Sequence, residues 1–492
     1  MPSPQPSVAA STGARLKPNA VGLTSAVIMS AAIMGPAVST FFNPQFSTPF
    51  SGEATPFVYV LCLIVILITA SGVVAMAAVA PSAGSFYTYV TRGLGPRAGF
   101  VTGGLLFVAY ALLAPIEIGL IGAYLQQTIQ QDWGINIPWV LIGIVPWLLM
   151  AALAFKGILA SLRTALILVV AEVAVVVGLA LIVVAKGGAH GLTLEPFSPS
   201  SSPHGFSGIV TGFVFAALSF VGFEGATALG EEIKDPRRNI PLGMVLSTLL
   251  VGAIYVFCIW AEAIGLGTAK MNALGGSDTP WNTLAATYAP WMKTLVILAS
   301  VSSMFAVMVN SNNGIVRVLH TMGREGLLPR RLAYIDPRRF TPTTAVIYEA
   351  IFAILATVLV GLVSGGLTDP AGGSNVYGYL GFVLTLAILP VYALTNIAAI
   401  RYFWGRPGSS MLLHVVLPAL GVVLMVALLV GQIVEQTGPP YTWMPWLIIG
   451  WVVVVAAIAL WLGRTRPATL KLAGAIMATG ELDEVPSRPG LA

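Results

Sequence analysis

Charge is what this chain has least of. Asp, Glu, Lys and Arg make up 9% of its 492 residues while 57% are hydrophobic, and mean hydropathy is +0.88. Soluble domains carry roughly 25% charged residues, so the bulk of this chain is excluded from water and the class is a polytopic membrane protein. Cysteine is scarcer still. Cys62 and Cys258 both fall in apolar runs, which excludes a disulfide framework or a Cys-rich metal site and leaves small buried side chains. The four histidines, His190, His204, His320 and His414, show no ligand spacing, and no cofactor or metal site follows. No Walker-type phosphate loop occurs, which argues against ATP hydrolysis by this chain. The first twenty residues lack a signal-peptide layout, so the first span is expected to direct insertion and stay.

What is there is a series of apolar stretches near the length that crosses a bilayer. Twelve can be laid along the chain, at about 20–45, 56–80, 98–128, 137–155, 162–186, 207–230, 241–264, 290–316, 343–364, 376–400, 412–433 and 443–463. With that count, 21 of the 24 Lys and Arg fall on one side, and only Lys186, Lys270 and Lys293 on the other. By the positive-inside rule both termini are expected in the cytoplasm. The net charge of +5 is then a topology signal and does not point to nucleic acid. Residues 1–18 and 467–492, rich in Pro, Ser, Gly and Ala, read as cytoplasmic tails around a core at 19–400 and two further helices at 401–466.

Two spans are interrupted. The first carries Gly35-Pro36-Ala37 in its middle, and the sixth carries Gly222, Glu224 and Gly225 within SFVGFEGATALG. Proline removes a backbone donor and glycine relaxes the chain. Interrupted spans at corresponding places of two halves point to an inverted-repeat transporter, here with repeats at 19–186 and 207–400. Backbone groups left unpaired at such breaks must face protein or a wet cavity, where they can hold a solute. Glu224 stands out because a carboxylate at that depth costs about 2.5–3.5 kcal/mol on insertion scales and usually marks a substrate or ion path.

Three stretches carry a family resemblance. FVGFEGATALGEEIKDPRRNIP (220–241) resembles the sixth-span signature of the amino acid–polyamine–organocation (APC) superfamily. AGSFYTY (83–89) with Gly93-Leu94-Gly95 is similar to the loop after its second span, and RVLHTMGREGLLP (317–329) with Thr341-Pro342 to the loop after its eighth. The resemblance covers roughly 20–400. It implies an all-α, LeuT-type 5+5 inverted repeat with helices 1 and 6 broken, plus two additional helices, working by alternating access. It further implies a secondary permease for amino acids, proton-coupled, with a polyamine or small-amine transporter or exchanger as the alternative. The partners are then a small-molecule substrate, a coupling proton and the bilayer. A membrane-embedded enzyme using Glu224 and Glu172 as acid and base is the remote alternative, because no nucleophile–base pair or catalytic motif accompanies them.

The substrate site implied by the resemblance takes in Gly35, Pro36, Ala37, Ser219, Phe220, Gly222, Phe223 and Glu224. Family members hold the substrate carboxylate on amides of a Gly-Ser-Gly, but Pro36 has no N–H to give, which keeps amines in play. Leu218 stands where some members carry a gating Trp or Phe. Glu224 is expected to bind an ammonium or carry the proton. Glu172, alone in the fifth span, falls near the intramembrane lysine of proton-coupled relatives and is a second coupling candidate. Glu117, in the third span, suits a cationic group. Ser302, Ser303, Asn310, Asn313 and Tyr377 are candidates for the lining of the pathway. Glu262 and Glu349, nearer span ends, read as solvated acids.

Overall fold

The computed structural model describes residues 19–156, 158–267, 271, 280–434 and 438–471. The tail expected at 1–18 lies outside these residues. Of the tail at 467–492, only the short helix Pro467–Lys471 lies within them.

The regular structure is helical throughout, with no β-strand among the described residues. In chain order the spans are Leu23–Phe41, Thr55–Val79, Pro96–Trp133, Trp139–Ala154, Ile158–Ala185, Gly205–Leu229, Pro236–Leu266, Lys293–Arg324, Thr343–Ser364, Pro370–Phe403, Leu412–Val434 and Met444–Thr465. Among the described residues eleven helices are long and apolar enough to cross a membrane. The expected fourth span is the exception, a 16-residue apolar helix with Pro146 inside it, roughly 24 Å long at 1.5 Å per residue. Spans three, ten, one and six form the interior. Their most apolar stretches are 83, 78, 72 and 72% buried, against 22% for spans eleven and twelve, which form part of the outer ring.

Both expected breaks exist, and each is written in local chemistry. Helix Leu23–Met34 stops at Gly35, whose φ of 57° is left-handed and whose N–H returns to the Ala31 carbonyl at 3.1 Å. Glycine adopts that conformation without a Cβ clash, which makes it a frequent helix stop. Pro36 then opens helix Pro36–Phe41 at a position where a missing N–H leaves no bond unmade. In the sixth span, helix Gly205–Ala216 tightens to a 3-10 turn at Ala217–Phe220, Val221 is extended, and Gly222 turns at φ 105°. The chain resumes as the 3-10 helix Gly225–Leu229. A side chain at Gly222 would run into Ile33, so the two breaks are in direct contact.

Candidate functional site

Between the breaks lies a cavity of about 20 Å³, bounded by the first, third, sixth, eighth and tenth spans. That is room for one water molecule, so the site is closed in this conformation. Glu117 of the third span lines it at 4% exposure, and its Oε2 has no hydrogen-bond partner among the described residues. Val38, Ser39, Val221 and Tyr377 also face it. The carboxylate the sequence placed third among the acids is therefore the one at the cavity wall.

A polar network ties the breaks together. Ser39 Oγ donates to the Met34 carbonyl at 2.7 Å. Asn43 Nδ2 donates to Ser219 Oγ at 2.8 Å and to Ser39 Oγ at 3.3 Å, while the Tyr377 hydroxyl donates to Asn43 Oδ1. Tyr59 pairs with Ser219 Oγ at 2.9 Å. Tyr255 of the seventh span reaches the Met34 carbonyl at 2.6 Å and the Ser219 carbonyl at 2.9 Å, one from each broken span. Each such bond nets about 1 kcal/mol, and more is lost when one is left unmade in the interior. Asn43, Tyr59 and Tyr255 carry no sequence signal, since each sits in or beside an apolar run.

Glu224 is placed otherwise. Its Oε1 accepts the Tyr110 hydroxyl at 2.7 Å and its Oε2 the Tyr392 hydroxyl at 2.9 Å. Each carboxylate oxygen thus has a tyrosine donor of its own. Glu224 joins the sixth span to the third and tenth, and it is not among the residues lining the cavity. Phe220 packs on Tyr59 and Tyr255, and Phe223 on Tyr392, so neither bounds the cavity. Leu218 does.

The fifth-span acid lies close to the first break. Glu172 is fully buried beside Ser303, whose Oγ accepts the Val38 N–H at 3.1 Å. With Pro36 lacking an N–H and that of Val38 engaged, two of the first three backbone groups of helix Pro36–Phe41 are closed to a substrate carboxylate. Gly35 and Ala37 frame the break from either side of Pro36, with Ala37 fully buried. The Ser302 hydroxyl has no hydrogen-bond partner among the described residues. Asn310 Nδ2 turns back to the Ala306 carbonyl at 2.8 Å, and the Asn313 carbonyl accepts Arg317 at 2.7 Å. These two lie further along the eighth span and do not bound the cavity.

Glu262 and Glu349 depart from the expectation of solvated acids: they are 0 and 1% exposed. Trp281, on the helix Pro280–Tyr288, covers Glu262, and neighbouring spans cover Glu349.

Both ends of the site are shut. Toward one end, Asn43, Leu218 and Tyr377 separate the cavity from a second one of about 30 Å³ near Phe46 and Tyr441. Toward the arginine-rich end, Arg317 Nε bonds Glu232 at 2.8 Å, and Arg324 grips Glu231 with two bonds of 3.1 and 2.7 Å. The Val21 N–H donates to the Glu232 carbonyl and the Val21 carbonyl accepts the Lys234 N–H, which holds the start of the first span to the end of the sixth, and Tyr87 donates to Glu325. The Glu-Glu pair of the sixth-span signature therefore supplies the acids of this closure.

A family model described as amino acid permease matches residues 21–457. The chain belongs to the amino acid permease family. The permease is 27% identical over 338 residues to the branched-chain amino acid permease BcaP of Lactococcus lactis subsp. cremoris, covering 65% of this chain and 71% of that one. It is 26% identical over 340 residues to the low-affinity putrescine importer PlaP of Escherichia coli K12, covering 68 and 73%. A shorter match, 30% over 171 residues, covers 33% of this chain and 27% of the mitochondrial cationic amino acid transporter 3 of Arabidopsis thaliana. These relatives agree with the superfamily inferred from the sixth-span signature.

Proposed function

We propose that this permease is a proton-coupled carrier of amino acids and small amines in which Glu117 receives the substrate's ammonium group. The observation that carries the reading is the Glu117 carboxylate on the wall of the central cavity with an oxygen left unbonded. An ammonium group is common to branched-chain amino acids and putrescine, which the names of two relatives specify. Pro36 and the engaged Val38 N–H favour substrates that do not depend on backbone amides for a carboxylate. A proton on Glu172, beside Ser303 and the first break, would couple its state to the helix that must move. The arginine-rich end faces the cytoplasm under this reading, as the charge asymmetry supports, and the repeats at 19–186 and 207–400 rock about the two breaks.

Counterflow in proteoliposomes with leucine, lysine and putrescine tests this. A charge-assisted hydrogen bond contributes about 1.5–3 kcal/mol, so Glu117→Gln should weaken competition by every ammonium-bearing solute roughly tenfold or more. Unchanged competition by all three in Glu117→Gln would end the assignment. Ohmic conductance in place of saturation and counterflow would replace the carrier by a pore.

A further inference from the structure

A cavity far larger than the one at the breaks lies elsewhere in the protein. It measures about 420 Å³, within the range of small-molecule sites, and opens on the flank between the third, eighth, ninth and twelfth spans at the arginine-rich end. Its walls are apolar, with Phe107, Phe352 and Trp451 among them, and two side chains of opposite charge interrupt them. Arg331, exposed on the loop after the eighth span, stands at one edge. Glu349 forms part of the inner wall at 1% exposure, and neither of its carboxylate oxygens has a hydrogen-bond partner among the described residues. The ninth span begins at Thr343, which puts Glu349 roughly 9 Å along that helix at 1.5 Å per residue.

A buried acid without a donor in an apolar wall is expensive to keep and marks a functional site by default. It is not among the residues lining the central cavity. We propose that this flank cavity is a binding site for an aminophospholipid of the surrounding leaflet. An acyl chain lies along the aromatic wall, the phosphate meets Arg331, and the Glu349 carboxylate, sealed just behind the wall in this conformation, turns to take the ammonium as its donor. The pairing of opposite charges selects the zwitterion. An anionic lipid would satisfy Arg331 and set its charge against Glu349, and a lipophilic amine would leave Arg331 without a counterpart. Guanidinium groups bond phosphate in a bidentate fork, and basic pockets between membrane helices commonly hold lipid headgroups.

The test is lipid retention by the purified full chain. Protein is exchanged into micelles containing equimolar phosphatidylethanolamine and phosphatidylglycerol, stripped of bulk lipid, and weighed by native mass spectrometry. Wild type is expected to keep phosphatidylethanolamine at least tenfold over phosphatidylglycerol, and Glu349→Gln to lose that preference. Ile458→Trp, which narrows the cavity from a half-exposed position on the twelfth span, is expected to retain severalfold less lipid and provides a variant that leaves the buried acid in place. Equal retention of the two lipids by wild type, preference for phosphatidylglycerol, or wild-type retention in Ile458→Trp each overturns the proposal. Counterflow through the central site is read separately, so failure here leaves the Glu117 assignment standing.

Discussion

Replacing Arg317 by Met should open the arginine-rich end. The Arg317–Glu232 pair is 2.8 Å long with its side chains 5 and 1% exposed, so the substitution strands a carboxylate in the interior. Breaking a buried pair from one side costs about 3–5 kcal/mol. That penalty falls on the closed conformation, because Glu232 is rehydrated once the end opens. At 1.36 kcal/mol per decade the closed-to-open ratio drops by roughly two to four orders of magnitude. Arg324–Glu231, partly exposed, remains and slows the loss without replacing it. The assay is labelling of Ala226→Cys in a background with Cys62 and Cys258 replaced, using a membrane-impermeant maleimide applied from that end. Ala226 is fully buried beside Ser30 in the closed state. Labelling should accelerate on the order of a hundredfold. The double variant Arg317→Met/Glu232→Leu swaps the pair for apolar contact, which is often neutral or stabilising by about 1–4 kcal/mol. It should return labelling to the wild-type rate or below while uptake stays low, since an apolar seal has no hydrated state to open into. A wild-type labelling rate and thermal midpoint in Arg317→Met would refute the role of the pair as a closure.

Glu172→Gln fixes that side chain in its neutral form. Wild-type uptake should rise as the outside is acidified and the Gln variant should respond flatly to a pH jump; a preserved rise removes Glu172 as the coupling group. Glu224→Gln puts an N–H₂ where one of the two tyrosine hydroxyls donates to a carboxylate oxygen, losing a buried hydrogen bond at about 1 kcal/mol or more. Its thermal midpoint should fall, whereas wild-type stability with full uptake would refute the joint between these spans. Gly222→Ala places a Cβ at φ 105° and against Ile33, with strain of roughly 1–3 kcal/mol. Ile33→Ala should recover only part of the lost stability, and complete recovery would show that the clash alone mattered.

The breaks were legible because their chemistry is local: Gly35-Pro36 is a helix stop followed by a start, and Gly222 permits a turn that other residues resist. The tyrosines were not. Tyr110, Tyr255 and Tyr392 lie in apolar runs, and their partners are 114, 221 and 168 residues away. Glu224 was expected to face the solute because it follows the break, yet a break resets the helical phase, and periodicity no longer says where the next side chain points. Glu262 and Glu349 show the opposite limit. Nearness to a span's end suggested water, but burial is decided by what packs alongside, and Trp281 and the neighbouring spans supply it.

A hydroxyl has a single proton to give. Tyr255 stands within reach of two carbonyls, Met34 on one broken helix and Ser219 on the other, and can bond only one of them fully at any moment. Met34 has a second donor in Ser39, so its carbonyl can spare the tyrosine. No second donor reaches the Ser219 carbonyl among the described residues, so the two acceptors are unequal claimants. Any motion that parts the first span from the sixth must therefore decide which helix keeps the tyrosine, and the seventh span travels with the one that does.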